Sequence, residues 1–220
     1  MIEFRGVSKY FLTPHSRKVV LDRLSLTLPH GARVGLLGRN GAGKSTMIGM
    51  ISGTVRQDEG RIVRHGSVSW PLGFAGSFAN EMTGAQNVRF VARIYGIDSD
   101  ELLAYVEDFA DIGDFINMPV RVYSSGMKAR LAFGLSMGIS FDWYLVDEIT
   151  AVGDAAFRAK SLAVFQQRLA SSGLIMVSHS MPTLREYCNC GLVLHGGKAA
   201  FFEDIEEAIG VYNRSLASAA

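Results

Sequence analysis

The chain of 220 residues has little of what marks secreted, membrane-spanning or nucleic-acid-binding proteins. Cysteine is scarce: Cys188 and Cys190 are the only two, in C-x-C spacing. Without a second pair they carry neither a disulfide framework nor a metal-ligand pattern, and they read as small, half-buried thiols of a reducing compartment. Net charge is nearly absent, with 22 Lys and Arg against 21 Asp and Glu. No electrostatic footprint for nucleic acid follows from that balance. Long apolar runs are missing although 48% of residues are hydrophobic. None approaches the ~20 residues that span a bilayer. The longest candidate, residues 131–141, is interrupted by Gly and Ser and closed by Asp142. Met1-Ile2-Glu3-Phe4-Arg5 is strand-like and is not a signal peptide. Internal repeats, low-complexity tracts and long linkers are absent as well. These absences leave one α/β domain, or a domain with a small subdomain, that stays in the cytosol unless a partner recruits it to a membrane.

What is present begins at Gly38-Arg39-Asn40-Gly41-Ala42-Gly43-Lys44-Ser45-Thr46, which fits G-x-x-x-x-G-K-[ST]. An apolar run, residues 34–37, precedes it, and Met47-Ile48-Gly49-Met50-Ile51 opens a helix after it. Strand, glycine-rich loop and helix are the context that a phosphate-binding loop requires. Glycines let backbone N–H groups converge on phosphate oxygens, and the helix adds unsatisfied amides and its positive end. Lys44 is expected on the β- and γ-phosphates, with the Ser45 hydroxyl on Mg²⁺.

Around that loop the sequence predicts strands at 2–7 and 32–37, one or two strands over 18–28, and a strand pair within 61–70 turning at Gly66. From about residue 77 to 135 the pattern becomes helical: 84–95, then 101–110 with Ser99 as N-cap, then 127–138 after Ser125. The β/α pattern resumes with a strand at 143–146, a helix at 154–170 and a strand at 174–177. A helix at 181–187 with Pro182 in its first turn, a hairpin within 192–202 and a helix at 206–212 complete the chain. His15, His30, His65 and His195 fall in turns or hairpins and read as surface residues.

The strand at 143–146 runs straight into Asp147-Glu148. A buried strand delivers such a pair to the crevice edge where ligands bind in parallel sheets. Asp147 is expected to hold Mg²⁺, directly or through water, and Glu148 to orient and polarise an attacking water.

Ser124-Ser125-Gly126-Met127 is the discriminating motif. Small residues with free N–H groups lead into a helix and make a second anion site. Here the chain resembles the ATP-binding-cassette (ABC) ATPases, whose signature loop is written L-S-G-G-Q. Ser124 and Gly126 match that pattern, while Ser125 and Met127 replace its first Gly and its Gln.

The resemblance implies an α/β fold of the ABC ATPase type: a RecA-like P-loop NTPase core with an antiparallel β subdomain and an inserted α-helical subdomain. It divides the single nucleotide-binding domain, 1–220, into a core at about 1–75 and 140–220 and a helical subdomain at about 76–139. It implies that Ser124–Met127 of one subunit cap the γ-phosphate held by the phosphate loop of a second. His179, after the strand at 174–177, is implied to contact the γ-phosphate and Glu148. Asp154 matches the aspartate of the family's dimer-interface loop, although Ile149 and Ala151-Val152-Gly153 replace its usual neighbours. Adenine is stacked on an aromatic residue after the first strand; Tyr10 and Phe11 both fit, and Phe11 is preferred. The family's Gln after the strand ending near Trp70 is missing, and the next one is Gln86.

That missing Gln, with Trp70-Pro71-Leu72-Gly73-Phe74-Ala75-Gly76 and Val146-Asp147-Glu148-Ile149-Thr150-Ala151-Val152-Gly153-Asp154, makes the chain similar to the ATP-binding subunits of bacterial capsular polysaccharide exporters, the KpsT type. The similarity implies ATP and Mg²⁺ as cofactors and a homodimer docked on a polytopic membrane subunit. The region from Phe74 to about Thr83 would contact that subunit, one of whose helix ends would rest between core and insertion. Periplasmic and outer-membrane export proteins are reached only indirectly. The place of action is the cytoplasmic face of the bacterial inner membrane. O-antigen and teichoic acid exporters are the nearest alternatives, and some O-antigen members carry a C-terminal carbohydrate-binding domain for which this chain has no room. A soluble, non-transport ABC switch is the rival from another class.

Overall fold

The computed structural model describes residues 1–12, 16–72, 78–147 and 154–217. They form two compact units, one drawn from 1–71, 141–148 and 171–220, the other from 72–140 and 149–170.

The first unit holds two sheets. Strands β1 (Ile2–Leu12), β2 (Arg17–Leu28) and β4 (Glu59–Arg64) make an antiparallel sheet in the order β2-β1-β4. The second sheet is ordered β5-β6-β7-β3-β8-β9, from β3 (Arg33–Gly38), β5 (Val68–Pro71), β6 (Trp143–Asp147), β7 (Gly173–Val177), β8 (Cys190–His195) and β9 (Lys198–Phe202). Its first five members run parallel, and β9 turns back antiparallel on β8. The central strands are apolar along their middles because helices and strands cover both faces: every residue of β7 is buried, as are Val34, Leu36, Leu145 and Val146.

Helix α1 (Lys44–Ser52) buries Met47, Ile48, Gly49, Met50 and Ile51 in succession, so its middle leaves no face for water while its first turn stays open. Its side chains share one core with Ile2, Phe4 and Leu21 of the antiparallel sheet and with Val34, Trp143 and Ile175 of the parallel one. Helices α6 (Met181–Tyr187) and α7 (Ile205–Ala217) complete this unit.

Strands β4 and β5 are not the pair that local pattern suggests. β4 joins β1, with Ile2 opposite Arg64, whereas β5 joins β6, with Val68 opposite Trp143. At the turn between them Asp142 accepts hydrogen bonds from the Ser67 amide (2.7 Å) and hydroxyl (2.8 Å), which directs the chain onto the second sheet. Ser69, fully buried on β5, accepts from the Leu145 amide at 2.9 Å and secures the new pairing. Other boundaries shift for similar non-local reasons. β1 runs on to Leu12 because β2 pairs with it along its whole length, and α7 continues past 212 to Ala217. Cys188 lies after α6 and only Cys190 is in a strand. Both thiols are buried, and burial pushes them up to about 12 and about 11, so neither is reactive at neutral pH.

The second unit is helical: α2 (Gly84–Tyr95), α3 (Ser99–Ala110), α4 (Ser125–Gly138) and α5 (Ala155–Leu169), with 3-10 turns at Gly113–Asn117 and Val120–Val122. The cap of α3 is Asp98 rather than Ser99, since its carboxylate accepts from the Asp100 and Glu101 amides at 2.9 Å. Phe109 stacks on Tyr105 and Phe133 and meets Phe157 edge-on at 5.5 Å, joining α3, α4 and α5. Thus α5 groups with the helical unit, although its sequence follows the β/α pattern of the core.

Candidate nucleotide site

Strands β6, β7 and β3 are neighbours, and their carboxyl ends open on one side of the parallel sheet. There a pocket of about 560 Å³ is lined by Asn40, Gly41, Gly43, Lys44, Ser45 and Thr46 of the loop after β3. Asp147, at the end of β6, and His179, after β7, line the same pocket. Residues remote in sequence meet because adjacent parallel strands deliver their ends to one crevice.

The loop's conformation follows from its glycines. Gly43 has φ 104, and a Cβ there would collide with Val20 Cγ1. That left-handed turn forms the N-cap of α1, and among the described residues no side chain caps it. Its first amides are therefore left for an anion. Ala42 donates to the Arg39 carbonyl at 3.0 Å, closing the turn. Lys44 Nζ donates to the carbonyls of Gly38 (2.6 Å) and Arg39 (3.2 Å), which folds its ammonium back over the loop. Gly38 fits tightly below, where a Cβ would lie 2.9 Å from the Leu194 carbonyl oxygen. No cluster of three His, Cys, Asp or Glu among the described residues could hold a metal. Ser45 and Asp147 suit instead an ion that draws most of its ligands from phosphate and water.

Phe11 lines the pocket, whereas Tyr10 is engaged elsewhere, with the Arg17 guanidinium 3.4 Å from its ring centre. Lys18 and Val20, which sequence reasoning did not single out, also line it. Their signal was a strand alternation that only the β1–β2 register turns into proximity.

A second group of expected residues lies in the helical unit. Ser124 is the N-cap of α4 and accepts from the Met127 amide at 3.2 Å; Ser125 and Gly126 form its first turn. Among the described residues a Cβ on Gly126 would meet nothing nearer than Ser124 Oγ at 3.9 Å, so their packing does not require glycine there. Asp154 caps α5, accepting from the Phe157 amide at 2.9 Å, and that bond, with Arg130 nearby, holds its carboxyl below the usual range. Its other oxygen takes Arg130 Nη2 at 2.6 Å. Arg130, on α4, also lies over the Phe157 ring at 4.6 Å, so it ties the start of α5 to the helix that Ser124 caps. Gln86 is spent on a capping box, its carbonyl accepting from the Thr83 amide at 2.9 Å. Glu148 and the segments 73–77 and 149–153 lie outside the described residues, as does His15. His30, His65 and His195 are exposed, and His65 Nε2 lies 2.8 Å from Glu3 Oε1. No helix among the described residues is long and apolar enough to cross a membrane.

A phosphate loop after a central parallel strand, an aspartate ending the next strand but one, and a serine-capped helix in an inserted helical unit define a class. The chain belongs to the ABC transporter family, whose profile matches residues 21–151. Within it, the chain is of the capsular polysaccharide export type. It is 44% identical to the polysialic acid transport ATP-binding protein KpsT of Escherichia coli, over 98% of this chain and 100% of that protein. It is likewise 44% identical to the capsule polysaccharide export ATP-binding protein CtrD of Neisseria meningitidis serogroup B, over 97% and 99%. Teichoic acid and O-antigen export ATP-binding proteins, from Staphylococcus epidermidis and Klebsiella pneumoniae, are more distant at 35% and 32%, and this chain covers 75% and 82% of their lengths. Among solved structures, the dimeric ATP-binding cassette MJ0796 in a post-hydrolysis state with ADP and Pi is similar in fold, with TM-score 0.75, 17% identity and coverage of 93% of this chain and 99% of that one.

Proposed function

We propose that the chain is the ATP-hydrolysing subunit of a capsular polysaccharide exporter of the bacterial inner membrane. It works as a dimer of two copies on the cytoplasmic side of a separate polytopic membrane subunit. One observation carries the nucleotide reading: the uncapped amides of α1, Lys44, Asp147 and His179 all face a single pocket. The similarity to KpsT and CtrD over nearly the whole chain supports the cargo.

In this reading the loop amides and Lys44 bind the ATP phosphates, and Phe11 stacks on adenine. Ser45 and Asp147 hold Mg²⁺, which when bound neutralises charge on the β- and γ-phosphates. Glu148 orients a water toward the γ-phosphorus. As that water's oxygen bonds to phosphorus, the bond to the bridging oxygen breaks, and ADP and phosphate leave. His179 steadies the γ-phosphate. Ser124, Ser125 and Gly126 close on the nucleotide of the partner copy, and the unopposed space at Gly126 supports that role. Asp154 acts at the same dimer interface from the cap of α5. Binding closes the dimer and hydrolysis reopens it. Phe90 and Ile94, 56% and 62% exposed on α2, offer apolar surface to the membrane subunit.

Deleting the gene and staining for surface capsule tests the reading. Capsule should vanish, return with the wild-type gene and not return with Lys44→Ala. Intact capsule in the deletion strain, or full rescue by Lys44→Ala, would overturn it.

A further inference from the structure

Beside the phosphate loop runs the end of the β1–β2 hairpin. Phe11 and Lys18 are directly opposite in its antiparallel ladder, as are Tyr10 and Val19. Opposite residues share a face, and residues two apart on one strand share it too. Phe11, Lys18 and Val20 therefore form one face, and all three line the pocket. Tyr10 and Arg17 occupy the other face, in contact with each other.

The pocket-facing side lies along the phosphate loop. Val20 occupies the space where Gly43 would carry a side chain, and Lys18 Nζ lies 3.6 Å from the position of a Cβ on Gly41. The Lys18 ammonium has no hydrogen bond or ion pair with any described residue, whereas the neighbouring Lys9 is 3.2 Å from Asp58. A cation with no hydrogen bond or ion pair among the described residues thus stands across from a loop of N–H donors, an arrangement that an anion between the two would stabilise.

We propose that Lys18 is a nucleotide-binding residue: a second ammonium that grips the phosphate chain from the hairpin side, opposite Lys44. The proposal rests on the reading of this pocket as the nucleotide site. It makes the hairpin a two-point clamp, with Phe11 on the base and Lys18 on the phosphates. Because β2 is an edge strand, a lysine there could serve only to discourage edge pairing; that role predicts no effect on nucleotide affinity.

Calorimetric titration of the full chain with Mg-ATP and Mg-ADP, at low and moderate salt, separates the two. Lys18→Met should weaken ATP binding about three- to tenfold and flatten its salt dependence, the scale of one exposed charge-assisted contact. Lys18→Arg should stay within twofold of wild type, and the nucleotide-free melting temperature should not change in either variant. A deficit shared by ATP and ADP supports a grip on the inner phosphates; one confined to ATP supports a grip on the γ-phosphate. Wild-type affinity for both nucleotides in Lys18→Met overturns the proposal. Lys44→Ala in the same series distinguishes the failures: if it too binds normally, the pocket reading falls; if it alone is crippled, only the role of Lys18 falls.

Discussion

Gly126→Ala separates a glycine kept for a partner from a glycine kept for the fold. Gly126 sits in the first turn of α4, and among the described residues beyond its chain neighbours a methyl group there would have only Ser124 Oγ within 4 Å, at 3.9 Å. The isolated chain has room for it. Alanine is favoured over glycine in a helix by roughly 0.5–1 kcal/mol, which in a domain of this size raises Tm by about 1–4 °C. If the same turn receives the γ-phosphate of a second copy, the methyl group stands in the way of an N–H to phosphate contact. Hydrogen bonds to charged groups are worth ~1.5–3 kcal/mol, so turnover should fall about ten- to hundredfold. The assay pairs thermal melting of the nucleotide-free chain with ATP hydrolysis by the complex with its membrane subunit. The expected result is a chain at least as stable as wild type and poorly active. Turnover within threefold of wild type, at unchanged Tm, would refute the assignment of α4 to the nucleotide. Gly43→Ala behaves oppositely: its φ of 104 and the Val20 side chain make alanine strained in the chain itself, so Tm falls even without nucleotide.

Two further outcomes follow from the geometry. Phe11→Ala should weaken ATP binding about fivefold or more, since stacking on a base is worth ~1–3 kcal/mol, while Phe11→Tyr and Tyr10→Ala stay near wild type; a larger loss in Tyr10→Ala than in Phe11→Ala, read by titration, would reassign the stack. The Ser67 amide, then the Ser67 hydroxyl, hold the Asp142 carboxyl below its ordinary value of 3.8. Its contribution to stability is therefore complete above that value and lost as pH falls through the lower folded value. Urea titrations at pH 5 and pH 2.5 should show a steeper loss for wild type than for Asp142→Asn; equal losses would remove Asp142 from the acid response.

Much of the site was legible because its chemistry is local. The phosphate loop packs its turn, its amides and its lysine into nine consecutive residues, 38–46, and its glycines are tied to conformations that no neighbour has to impose. Ser124 as a cap needs only the amide of Met127, three residues on. Parallel strands announced themselves as apolar runs, and Asp147 followed from the end of one. The cap of α3 falls on Asp98, one residue before Ser99, because both are competent caps and only the backbone geometry at Asp98 chooses.

The sequence by itself therefore determined the local pieces: a glycine-rich loop leading into a helix, an acidic strand end and a serine-capped helix start, each written in contiguous residues. Tertiary structure alone decided how distant pieces share space. It sent β4 and β5 to different sheets, because Asp142 and Ser69 reward pairings some 75 residues apart that no local pattern displays. Through the β1–β2 register it chose Phe11 over Tyr10 for the pocket and brought Lys18 beside Gly41. Through Arg130 it bound the Asp154 cap to α4. A face or a register is a relation between two strands, so no single stretch of chain can carry it.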